Sequence, residues 1–63
     1  MCLSNVYLVS GESEELVCEY ASSVSVDGDN IRLTDVTGQE ITVTGTIINV
    51  DLIKNEIKVK PLI

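Results

Sequence analysis

The stretch Val24-Ser25-Val26-Asp27-Gly28-Asp29-Asn30-Ile31-Arg32-Leu33 decides the fold. Val24 and Val26 alternate with serine before the centre, and Ile31 and Leu33 flank Arg32 after it. Alternation at period two puts the apolar members on one face of a strand. A tight primed turn needs positive φ, which glycine adopts without a Cβ clash, so Asp27-Gly28 predicts a hairpin between the two runs.

The same alternation recurs outward in both directions. Val6 and Leu8, Leu16 and Cys18, Ile41 and Val43, Ile48 with Val50 and Leu52, and Ile57 and Val59 form further core-facing sets. Turn residues punctuate them at Ser10-Gly11-Glu12, Thr37-Gly38-Gln39, Thr44-Gly45 and Lys54-Asn55. Val, Ile and Thr supply 21 of the 63 residues, which favours pleated surfaces and depresses helix propensity. The expectation is an all-β chain: about six short antiparallel strands in a small barrel, one domain over residues 1–63. Gly45, inside a continuous strand-like run, predicts a bend where one long ribbon turns a barrel corner. Pro61 cannot donate to a ladder and belongs near the end of the last strand.

Ten carboxylates against four cations give a net charge of −6, and there is no histidine. A groove following a phosphate backbone would rest on Arg32, Lys54, Lys58 and Lys60 alone, which disfavours nucleic acid as a partner. Without an imidazole, a paired carboxylate, a nucleophile with its base or a phosphate-binding glycine loop, no catalytic constellation stands out, and an enzyme is not expected. The opening MCLSNVYLVS lacks a basic n-region and a cleavage site, and no run is long enough to span a bilayer, so a cytoplasmic protein with two reduced thiols is expected.

A chain this short buries only about 60% of the surface its unfolded form exposes, so a partner chain would help to stabilise it. In the first strand Cys2, Ser4, Val6 and Leu8 can face inward, yet Leu3, Tyr7 and Val9 make the other face apolar too. Ile47, Ile53, Leu62 and Ile63 add apolar surface beyond the needs of one barrel. Together these predict a homodimer with the amino-terminal strand at or near the two-fold axis.

Cys2 is the most informative residue for chemistry. It places the Met1 amine, the Cys2 amide nitrogen and the Cys2 sulfur in adjacent chelate rings. An α-amine titrates near pH 8 and can release its proton to a metal, and a thiolate with planar nitrogen donors suits Ni(II) or Cu(II). Two such termini at a dimer axis would complete a four-coordinate site. Against this stands the commoner role of an isolated early-strand cysteine as a small buried hydrophobe. Cys18, alternating with Leu16 and Tyr20, fits that core role. Glu12, Glu14, Glu15 and Glu19 read as a solvated face, and Asp27, Asp29 and Asn30 as turn residues that lack the remaining ligands of a calcium loop.

Met1-Cys2-Leu3-Ser4 followed by Val6-Tyr7-Leu8 resembles the CooT family of small nickel-binding proteins, which opens with Met-Cys and a small residue in fourth place. The likeness runs on through Val26-Asp27-Gly28-Asp29, Ile31-Arg32-Leu33-Thr34-Asp35, Gly45-Thr46-Ile47 and Val50-Asp51-Leu52. The resemblance implies an SH3-like barrel and a cytoplasmic homodimer that binds one Ni(II) per dimer through Cys2 of both subunits. It also implies an accessory role in supplying nickel to an enzyme such as carbon monoxide dehydrogenase. Ser4 stands where alanine is common in the family, a small-for-small change. No histidine-rich tail is present, which favours delivery or sensing of nickel over bulk storage. The competing expectation is a small-barrel module that binds RNA or a partner protein, with Cys2 merely structural.

Overall fold

The computed structural model describes residues 3–62 and forms five strands: β1 (Ser4–Ser10), β2 (Ser13–Asp27), β3 (Asn30–Asp35), β4 (Glu40–Asp51) and β5 (Glu56–Pro61). They follow chain order around a closed barrel. Neighbours in sequence pair antiparallel, while β1 and β5 close the ring in parallel, with Asn5 opposite Glu56 and Leu8 opposite Val59. No described residue is helical.

Five strands stand where about six short ones are expected, because two apolar sets on either side of a bend belong to one strand. Leu16 and Cys18 continue into Val24 and Val26 as β2, whose first part pairs with β1 and whose second part pairs with β3. The join is a bulge: from Val6 to Ser4 β1 advances two residues, while β2 advances three from Cys18 to Ala21. Ile41 and Val43 likewise run on to Ile48 and Val50 as β4, which passes from β3 to β5 at Gly45. A Cβ on Gly45 would run into the Lys60 carbonyl and the Pro61 Cα, so the corner needs glycine for space. The Gly45 N–H caps the neighbouring hairpin through the Asp29 carbonyl at 2.8 Å.

The Asp27-Gly28 hairpin forms as expected, with Asp27 opposite Asn30 and Gly28 at φ 61°. Asp29 does not share the positive φ, which is the II′ pattern, with glycine first of the two central residues. Gly11 at φ 62° repeats this between Ser10 and Ser13. The core gathers Val6, Cys18, Ala21, Ile31, Leu33, Ile57 and Val59, with Val24, Val43 and Ile47 packed against them half-buried, whereas Leu16, Val26, Ile48, Val50 and Leu52, expected to face inward, are exposed where the long strands bend away from the core. Fully buried side chains such as Leu33 and Val59 each contribute about 1.5–3 kcal/mol of transfer free energy.

The second apolar face of β1 is partly covered within the chain. Tyr7 lies between Leu16 of β2 and Lys58 of β5, and the Lys58 ammonium crosses over β1 to meet a Glu14 carboxylate oxygen at 2.8 Å. The lysine stem therefore runs beside Tyr7, which is half-buried. Because β1 is hydrogen-bonded to a neighbour on each side, it offers no free edge over Asn5–Leu8 for a second subunit. A dimer contact at this end of the chain would have to use side chains and loops instead.

Candidate metal centre

Met1 and Cys2, the expected ligands, lie outside the described residues. The structure instead defines the barrel pole from which they lead. Antiparallel and parallel registers together bring the start of β1, the bulge of β2, the β3–β4 turn and the β4–β5 turn to one end: Ser4 faces Ala21, Ala21 faces Asp35, and Asn5 and Asp51 both face Glu56.

Each segment is fixed by a short polar contact. The Asn5 N–H donates to the Asn55 carbonyl at 2.9 Å, which ties β1 to the β4–β5 turn. Its side-chain oxygen accepts the Tyr20 N–H at 3.2 Å, and the Tyr20 carbonyl accepts from the Val36 N–H at 3.1 Å. Tyr20 sits at φ 58°, a left-handed conformation uncommon outside glycine, asparagine and aspartate, so these two bonds hold the bulge in a strained shape.

Two aspartates organise the turns. One Asp35 carboxylate oxygen accepts the Thr37 hydroxyl at 2.6 Å, the Thr37 N–H at 2.8 Å and the Gln39 N–H at 3.1 Å. The Thr37 hydroxyl, followed by the backbone donors, holds the Asp35 carboxyl below its ordinary range. Asp51 accepts the Ile53 and Lys54 N–H groups, each at 3.0 Å, and is lowered mainly by the Lys54 donor. This capped turn holds Leu52 and Ile53 out in solvent, 79% and 95% exposed, and Tyr20 and Val36 are exposed at the same pole. The sequence signal for this projection is Asp51 followed by free backbone N–H groups, an Asx turn that begins three residues before the expected Lys54-Asn55 turn.

Cys18 is 4% exposed and packs in the core, as expected of it. Burial, with a smaller contribution from nearby Asp35, pushes its thiol up and away from the thiolate that a metal would take. Among the described residues no three Cys, Asp or Glu side chains converge to hold a metal. Glu12, Glu15 and Glu19 are exposed, as a solvated face should be, and Glu14 is engaged by Lys58. Asp27 and Asn30 end their strands on either side of the turn.

A family model described as CO dehydrogenase accessory protein CooT matches residues 1–60. The chain belongs to the CooT family. The match spans nearly the whole barrel and includes Met1 and Cys2. A crystal structure of a protein described as CooT from Carboxydothermus hydrogenoformans superposes with a TM-score of 0.89 at 22% identity, covering 95% of this chain and 97% of that one. At that identity the likeness speaks for the CooT fold alone. No curated protein matches the chain. Membership assigns an accessory role in the carbon monoxide dehydrogenase system.

Proposed function

We propose that this CooT-family chain is a cytoplasmic nickel-binding accessory protein, not an enzyme, and that it acts as a homodimer holding one Ni(II) between the Cys2 residues of its two subunits. The ion is cargo, destined for a nickel enzyme such as carbon monoxide dehydrogenase. What carries the reading is the family match over residues 1–60, which takes in the Met1-Cys2 opening. The donor set fits the ion: a thiolate and an amine from each chain supply four soft or borderline donors without histidine. The pole supports it as well. Leu52, Ile53, Tyr20 and Val36 leave apolar surface exposed around the place where the chain leads to Cys2, and burying it against a second copy would bring two amino ends together.

The test is titration of the reduced protein with Ni(II), Cu(II), Zn(II) and Co(II), read by mass spectrometry of the intact assembly. One nickel per two chains is expected, with a thiolate-to-metal charge-transfer band that Cys2→Ser abolishes while the β-sheet spectrum persists. Stoichiometric binding that survives Cys2→Ser would refute the site, and a mass of one chain at micromolar concentration would refute the dimer.

A further inference from the structure

A five-strand barrel with two bent strands leaves some backbone unpaired. Among the described residues, 46–51 of β4 pair with β5 alone, because β3 leaves β4 at Thr44. Likewise 13–18 of β2 pair with β1 alone among the described residues, since β3 joins β2 only from Ala21. A free edge is a template for another strand, and proteins that avoid such pairing place charges along it. The β2 edge is guarded in this way by Glu12, Glu14, Glu15 and Glu19. The β4 edge is not.

Thr46-Ile47-Ile48-Asn49-Val50 carries no charge and three branched aliphatic residues, with Ile48 and Val50 each about half exposed. Ile48 is the extra residue of a bulge between Ile47, opposite Val59, and Asn49, opposite Lys58. Together with Val9, Pro61, Leu62 and Lys60 it lines a half-open cleft of about 310 Å³. Lys60 is exposed and makes no ion pair among the described residues. Of the three lysines on this hairpin, Lys58 is held by Glu14, whereas Lys60 stands on the cleft, whose lining includes no carboxylate among the described residues.

We infer that the free edge of β4 and the cleft beside it bind an extended acidic segment of a partner protein by strand addition. The segment's backbone pairs with residues 46–50, an aliphatic side chain lies in the cleft against Ile48, Val9 and Leu62, and a carboxylate meets Lys60. Main-chain hydrogen bonds give such a site its affinity, and the alternating side chains give it selectivity. The occupant is acidic because the exposed Lys60 ammonium is the charged group on the cleft, and no carboxylate among the described residues lines it.

Strand addition needs no metal, so the experiment uses the metal-free protein, and its failure would leave the nickel reading standing. Isotope-labelled protein is titrated with acetyl-Glu-Thr-Val-Thr-Val-Glu-amide and with the same peptide carrying lysine for glutamate. The acidic peptide should bind about tenfold or more tightly than the basic one, shifting amide signals within residues 46–50 and at Lys60. Ile48→Asp, which guards the edge with a charge of the peptide's own sign, and Lys60→Glu, which reverses the charge, should each weaken it about tenfold while the folded spectrum is retained. The inference is overturned by the absence of shifts at millimolar peptide, by shifts confined to residues 13–19, or by equal binding of the basic peptide. A mass increase with concentration that Ile48→Asp abolishes would give the edge to a second copy instead, and would overturn it equally.

Discussion

The side-chain oxygen of Asn5 accepts the backbone N–H of Tyr20 at 3.2 Å, joining the first strand to the strained point of the second. Two opposite effects follow from that one contact. Asn5→Ala should lower stability by about 0.5–1.5 kcal/mol through loss of the hydrogen bond. Tyr20→Gly should raise it by up to about 1 kcal/mol by relieving the left-handed backbone. Urea unfolding of both variants checks the pair, and equal signs would show that the bulge is not strained.

Gly45→Ala should destabilise by about 1–3 kcal/mol, because the new methyl meets backbone atoms of Lys60 and Pro61 that cannot rotate away. Gly28→Ala acts differently, since a Cβ there meets nothing within 4 Å and its cost comes from the positive φ alone. Thermal midpoints should fall for both.

The two thiols should separate in reactivity. Cys18 is buried and its thiol is held protonated, so a water-soluble disulfide reagent should modify it only as fast as the barrel opens. Cys18→Ser should cost about 1–3 kcal/mol by putting a hydroxyl into the core, and it should leave nickel stoichiometry unchanged. Fast labelling of Cys18 in the folded protein would contradict its placement.

Acid should loosen the pole that leads to Cys2 before the rest of the barrel. Asp35 and Asp51 are both lowered in the folded state, so each contributes stability that is present above the ordinary aspartate value near pH 4 and is lost as pH falls through the folded value. Hydrogen-exchange protection in the β3–β4 and β4–β5 turns, relative to the intrinsic rate at each pH, should fall below about pH 4, and Asp35→Asn should flatten that dependence in its own turn. Cys18 has the opposite sign: its raised value makes stability fall as pH climbs above about 8.5, where the unfolded thiol ionises, and Cys18→Ala removes that slope.

Much of the barrel was legible because its determinants are local. Asp27-Gly28 and Gly11 announce their hairpins through a backbone requirement only glycine meets easily, and the inward set Val6, Ile31, Leu33, Ile57 and Val59 follows from period-two alternation. The number of strands was not legible. Nothing around Tyr20 marks a bulge, since tyrosine is a poor residue for positive φ and the conformation is imposed by Asn5 and Val36 from other strands. The Lys58–Glu14 bridge beside the apolar outer face of β1 has no local signal, because it joins residues far apart in the chain. Cys2 is different again. Its candidacy rests on its position beside an α-amine and on the family opening, neither of which depends on the fold.

The parallel pairing of β1 with β5 gives the molecule a polarity. Both strands start at the pole beside Asn55, so β1 receives the chain from Cys2 there while β5 delivers Pro61 and Leu62 to the opposite pole. A linker attached beyond Leu62 would anchor the barrel by one pole and present the other, with its amino-terminal thiol, to the solution. Immobilised in that orientation on an electrode or a sensor chip, the protein would keep the amino end free to meet an incoming ion. An amino-terminal tether would hide it.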